Sequence, residues 1–305
     1  MCESFLFINF PLWNLPGGRI VTIIVLFNQT LRGTILSSRY ISAILLCLSP
    51  AIFAAEESNV SVEVIPLVEE ISPGEPFEVA VVFNMESEWH IYWQNPGDAG
   101  IPTTFDWSLP PQFEILDMRE PVPVRHIDEG ITTFIHEKET IFLFKFQAPD
   151  VFPDTTVFEV MIDWLECKSI CLAGADTVQF SLPHAFEIQG SVLKDRALSQ
   201  FPDPVEKGAW AARTKRKMVE LKNLKPRGRS FKLVEVDFFP STEMIYDIET
   251  KARLKRGLRR DTIQIPLSEY HDAEPKSVEG ILVQKFSTPK GVVTTNTMIQ
   301  ELILQ

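Results

Sequence analysis

The runs FEVAVVF (77–83), TIFLFKF (140–146) and VFEVMIDW (157–164) are short, β-branched or aromatic, and partly alternating. A period near two sends successive side chains to opposite faces of an extended chain, a pattern that a helix of 3.6 residues per turn cannot use. Turn clusters separate them: SPGEP from 72, QNPGDAG from 94, SLPPQ from 108 and APDVFPD from 148. Gly, Pro, Asn and Asp supply the backbone that turns need. Half-buried antiparallel strands at such intervals predict a β-sandwich of the immunoglobulin type, without the inter-sheet cysteine pair of antibody domains. Further on, FKLVEVDFFP (231–240), DTIQIPL (261–267) and VEGILVQKF (278–286) predict a second, smaller β-domain. The expected class is all-β, with one linking helix.

The N-terminal region reads differently. Residues 35–57 have a basic start at Arg39, an apolar run from Ile41 to Phe53 and small residues before two acids. That is the layout of a secretory signal peptide, cleaved after Ala51, Ala54 or Ala55, and its apolar run is shorter than a membrane span. A lipoprotein signal at Cys47 would want a small residue where Leu46 stands. Residues 1–34 lack clear periodicity apart from an apolar patch over 20–27, too short to cross a bilayer. The expectation is an exported chain of about 250 residues, soluble once mature, with no later transmembrane segment.

Charge divides the remainder of the chain. From Glu56 to Glu206 there are 7 Lys+Arg against 28 Asp+Glu, a net of −21, and from Lys207 to Arg260 there are 16 against 6, a net of +10. Such asymmetry suggests two units. In SQFPDPVEKGAW, Asp203 and Glu206 resemble a capping box with Pro204 in the first helical position, predicting a helix over about 204–222 that ends at LKPRG. The expected organisation is an upstream segment and signal over 1–55, an immunoglobulin-like domain over 56–190, linker and helix over 191–228, and a second β-domain over 229–305.

The chain has four cysteines, and Cys2 and Cys47 fall in the upstream region. The other two stand four apart in DWLECKSICLAG (163–174), directly after an apolar strand. In an oxidising compartment Cys167 and Cys171 can form a disulfide. As a staple, a loop this short stabilises by only about 2 kcal/mol on the chain-entropy model. Placed at a strand end, the pair is accessible to a partner. Lys168 within the loop favours a thiolate and Glu166 opposes it. Exchange dithiol, structural bridge and metal ligation all remain open on these residues. Two thiolates with Met161 or His184 would suit Cu(I), whereas zinc wants four ligands and there is no second cysteine pair.

Other chemistries find little support. There is no Gly-rich phosphate loop, no G-x-S-x-G elbow and no H-E-x-x-H. Histidines 90, 126, 136, 184 and 271 are scattered without ligand-like spacing and read as surface or half-buried residues. The acidic first half reads as a solvated surface able to steer a basic partner. RTKRK (213–217) and KARLKRGLRR (251–260) could meet anionic lipid or nucleic acid, but export argues against nucleic acid, and basic faces near the acidic domain are the simpler account.

WHIYWQNPGDAGIPTTFDWSLP (89–110), DWLECKSICLAG and FFPSTEMIYD (238–247) together resemble the N-terminal periplasmic region of the thiol–disulfide interchange protein DsbD family, in the branch called suppressor of copper sensitivity protein B. The resemblance runs from about residue 60 to the C-terminus. It implies immunoglobulin-like domains and a redox pair at Cys167 and Cys171 that passes reducing equivalents from a membrane-embedded donor to periplasmic thioredoxin-like proteins; no cofactor or metal site is assigned. NPGDAG suits a tight turn, with Trp89, Tyr92 and Trp93 packing near the site. Family members of the full type continue into a membrane domain and a thioredoxin-like domain. This chain stops at Gln305, and the expectation is that a separate protein supplies the electrons; the alternative is a domain kept for binding, a non-catalytic binding or assembly module with a structural disulfide, or a copper-handling protein.

Overall fold

The structure is a computed structural model that describes residues 5–11, 20–26, 58–183, 190–224, 232–257, 261–270 and 275–304. The expected signal peptide, Cys2, Cys47, His184, His271 and the helix stop at 225–228 lie outside these residues. Strands β1 (Phe5–Pro11) and β2 (Ile20–Leu26) pair antiparallel, and they belong to a unit, Met1–Glu56, that is separate from Glu57–Gln305.

In the larger unit, β3 (Val60–Pro66), β4 (Pro76–Met85), β5 (His90–Gly97), β6 (Thr104–Ser108), β7 (Glu114–Arg119), β8 (Val124–Asp128), β9 (Ile131–Glu137), β10 (Glu139–Gln147), β11 (Thr156–Cys167) and β12 (Cys171–Leu182) build two sheets. One has the order β3-β4-β10-β7, the other β12-β11-β5-β9-β8 with β6 also on β11. Phe77, Val79, Val81 and Phe83 from β4, with Phe142, Phe144 and Phe146 from β10, meet Phe158, Val160, Ile162 and Trp164 from β11 in one core. These residues alternate along their strands because each sheet presents one face inward.

Strands β4 and β10 are also buried on their backs. Ala80, Val82, Ile141 and Leu143 contact Leu193, Ala197 and Phe201, carried by or just beyond helix α1 (Gly190–Gln200). Burial on both faces explains why FEVAVVF and TIFLFKF read as nearly continuous apolar runs rather than strict alternations. The helix ends where Pro202 follows Phe201, since the residue before a proline is pushed out of the α region.

This overturns the helix expected over 204–222. That stretch holds β13 (Asp203–Pro204), β14 (Trp210–Thr214) and β15 (Met218–Asn223). Trp210 and Ala212 on one strand and Val219 and Leu221 on the next are buried at a spacing of two, and Arg216, with φ of 56°, sits in the reversal between them. A cap-like Asp203 and Glu206 did not outweigh that period.

Strands β16 (Lys232–Pro240), β17 (Arg253–Lys255), β18 (Thr262–Pro266), β19 (Ser277–Thr288) and β20 (Gly291–Ile303) complete the chain. Sheet β13-β20-β19-β16 faces sheet β14-β15-β18-β17 across a second core that includes Trp210, Leu221, Phe238, Ile265, Leu282 and Ile299.

The two sandwiches touch through Trp93 and Phe134 of the first and Phe239 and Ile281 of the second. Beside them Arg125 donates to Asp237 from Nε (3.0 Å) and Nη2 (2.8 Å), and its guanidinium lies 5.0 Å from the Phe134 ring centre. Asn95 adds a bond from Nδ2 to the Pro240 carbonyl (2.7 Å), while its Oδ1 accepts the Gly97 N–H (3.1 Å). The NPGDAG stretch is thus a turn held by its own asparagine, as its residue types predict. Trp93 faces the second sandwich, not the cysteines.

Candidate redox site

Strand β11 keeps its ladder with β12 for 12 residues, and the last pair in register is Cys167 with Cys171. Their Cα atoms are 4.2 Å apart and the two form a disulfide. Lys168, Ser169 and Ile170 make the connection, closed by a Lys168 N–H to Ile170 carbonyl bond (3.0 Å). The strand runs to the cysteine itself, beyond the Asp163–Trp164 end that composition suggested.

The two sulfurs are not equivalent. Cys167 is 3% exposed, whereas Cys171 is exposed at the start of its strand, next to Ile170 at 57%. On its other side Cys167 pairs with His90 of β5, so it stands between a cysteine and a histidine along the sheet. Tyr92, Ile135 and Leu165 complete the apolar surroundings of Cys167. Alternation places this cluster on the outer face of the sheet, away from the core that holds Trp164.

A loop covers the cluster. Tyr92 bridges to Pro102, and Gly100 (φ of 110°) lies so close to the Tyr92 ring that a Cβ there would come within 2.2 Å of a ring carbon. Only glycine allows both that backbone angle and that approach. Burial pushes the Tyr92 hydroxyl pKa upward.

Charge near the pair is arranged in three ways. Lys168 is turned to Glu88, with Nζ 2.7 Å from Oε2, and lowers the Glu88 carboxyl pKa by hydrogen bonding and charge. Its ammonium is therefore already engaged with a carboxylate. Glu166 points to the opposite face and is 1% exposed. Its carboxylate accepts from Ser58 Oγ (2.8 Å), the Asn59 N–H (3.1 Å), Asn59 Nδ2 (3.3 Å) and Trp164 Nε1 (3.1 Å). Burial alone would raise its pKa, but the bonds from Trp164, Asn59 and Ser58 outweigh it and hold the group below the usual range.

His90 is 7% exposed, with ring centres 5.4 Å from Tyr92 and 5.3 Å from His126. Burial and the charge of His126 lower its pKa, against Glu137 and a backbone bond at Glu88. Neither histidine had a site-like spacing. The W-H-x-Y-W alternation, which sets His90 and Tyr92 on one face, was the signal available.

Met161 lies six positions up the strand from Cys167, about 20 Å away at the rise of a β-strand, and is no candidate to share a metal with it. Among the described residues no three His, Cys, Asp or Glu are grouped to hold a metal ion, and no helix is long and apolar enough to cross a membrane.

The site is an immunoglobulin-like sandwich with a disulfide closing a surface hairpin, one cysteine buried and one open. Residues 61–183 match the family model described as thiol:disulfide interchange protein DsbD, N-terminal. Among solved structures, the N-terminal periplasmic domain of ScsB from Proteus mirabilis is similar with a TM-score of 0.56 at 14% identity, over 80% of this chain and 95% of that one. That likeness shows a shared fold across both sandwiches. The reduced DsbD N-terminal domain of Neisseria meningitidis matches with a TM-score of 0.27 at 12% identity, over 40% of this chain and 82% of that one. No curated protein matches the sequence.

Proposed function

We propose that Cys167 and Cys171 are a redox-active pair that carries reducing equivalents in the periplasm, from a membrane-embedded donor to thioredoxin-like proteins. The observation that carries this reading is the unequal exposure of the two sulfurs in a disulfide with little to staple. The bridge joins strands already paired for 12 residues and closes a loop worth only about 2 kcal/mol. A partner can reach Cys171 but not Cys167.

In the reduced protein the Cys171 thiolate attacks one sulfur of a partner's disulfide, and the partner's other sulfur leaves as a thiolate. Cys167 then loses its proton and attacks Cys171 Sγ. The mixed disulfide breaks, the electron pair departs on the partner's second sulfur, and the Cys167–Cys171 bond forms. Two electrons have moved to the partner. A donor dithiol reverses the sequence by attacking Cys171 Sγ. We further place the domain division just after α1, with the first sandwich carrying the pair and the second holding it in position.

The test is an equilibrium titration of the purified protein against a dithiothreitol or glutathione couple. A potential between about −280 and −120 mV supports exchange, and one below about −300 mV would assign the bridge to structure alone. In addition, Cys167→Ala should trap a mixed disulfide with a thioredoxin-like protein, and Cys171→Ala should not.

A further inference from the structure

The geometry points to His90 as the proton partner of Cys167, taking the proton from that buried thiol as it resolves the mixed disulfide and returning it when the disulfide is reopened. This deepens the carrier reading and rests on it.

Cys167 has almost no contact with water, yet resolution requires it to become a thiolate. An isolated anion in that apolar cluster would be costly, so a nearby group has to receive the proton and stay as the counter-charge. His90 stands directly opposite Cys167 in the antiparallel register. Opposed residues point to the same face with Cβ atoms about 4.5–5.5 Å apart. Lys168 is held by Glu88 and the Ser87 carbonyl, and Glu166 lies on the other face. His126 on β8 and Glu137 on β9 also face His90, and Glu137 is itself paired with Lys138. Cys167 on β11, Tyr92 on β5 and the Glu88 backbone complete its neighbourhood.

His90 suits the task because burial and His126 keep it neutral until a negative charge appears beside it. The step balances. The Cys167 S–H bond breaks as the imidazole gains N–H, the sulfur pair forms the bond to Cys171 Sγ, and the partner's sulfur leaves with the electrons of the mixed disulfide. In reverse, the imidazolium protonates the departing Cys167 thiolate.

The experiment uses the full chain with Cys2→Ser and Cys47→Ser, so that Cys167 is the sole thiol once Cys171→Ser is added. Ultraviolet thiolate absorbance followed against pH should show Cys167 ionising about one pH unit or more higher when His90→Gln is introduced. Superimposable curves would overturn the proposal. A second readout needs no change at His90: its imidazole NMR titration should have a higher midpoint in the reduced than in the oxidised protein. His126→Gln, at an exposed position, should raise that midpoint, and an equal midpoint in both redox states would remove His90 from the mechanism. With Cys171 restored, resolution of a mixed disulfide should slow about tenfold or more in His90→Gln at neutral pH and recover at alkaline pH, where Cys167 ionises unaided. If the protein with His90 intact exchanges with a thioredoxin-like protein and His90→Gln matches it at every pH, the carrier reading stands and His90 has no part in it. A protein that never exchanges, even though its titrations are coupled, defeats the carrier reading and the catalytic role of His90 together.

Discussion

Glu166 shows how a residue next to the paired Cys167 can serve the fold instead. Its partners Ser58 and Asn59 come from the chain before β3, more than 100 residues away, so that the carboxylate ties the entry of the first sandwich to the end of β11. Because its folded pKa lies below the ordinary value of 4.5, its stabilisation is complete above that pH and is lost as pH falls through the folded value. Glu166→Gln should therefore flatten the acid limb of the pH–stability profile measured by urea denaturation; an unchanged limb would show that the charge is immaterial. Gly100→Ala should destabilise by at least about 1–3 kcal/mol, since it adds both a disfavoured backbone angle and a clash with Tyr92. His90 read as an ordinary surface or half-buried residue, while the cysteine pair at a strand end and the packing of Tyr92 near it were legible in the sequence. Contacts over a hundred positions were not, because no local pattern encodes them.

At the scale of elements, the hairpin β11–β12 is expected to survive loss of its bridge. Its inner face holds Phe158, Val160, Ile162 and Trp164, and the ladder runs along both strands. Reduction should lower the free energy of unfolding by about 2 kcal/mol, measured by denaturation with and without reductant, and the native sheet should remain. A loss several times larger would mean that the bridge is a structural staple. The predicted strands at 77–83, 140–146, 157–164, 231–240, 261–267 and 278–286 all fall on observed ones, because buried β-branched and aromatic residues mark them. The helix was displaced for a physical reason. Residues 190–200 have a weak apolar face, only Gly190, Leu193 and Ala197 being buried, while Asp203, Pro204 and Glu206 imitate a start that leads into strands. The exposed strand β7, EILDMR, had even less to distinguish it.

For the whole molecule, two β units of opposite net charge were readable, but not how they meet. Their buried ion pair runs against the overall balance. Arg125 is one of the few cations in the acidic half, and Asp237 one of the few acids in the basic half. Regional net charge could not foretell that contact. Removing Arg125 alone leaves buried Asp237 with only Lys251 at 4.0 Å and the Phe238 N–H at 2.8 Å, and should cost up to about 3–5 kcal/mol, the upper range for breaking buried pairs. Arg125→Met with Asp237→Leu should recover part of that loss in a double-mutant cycle; additive losses would show that the pair is not coupled. The buried aromatics at the same interface, Trp93, Phe134 and Phe239, hold the two sandwiches in register independently of charge. The single open sulfur has a kinetic consequence. On the proposed reading, electron source and electron sink must dock at Cys171 in alternation, never together, so the protein works as a turnstile. Steady-state rates measured against both partners should follow a ping-pong law, with parallel double-reciprocal lines, and intersecting lines would require a second point of entry.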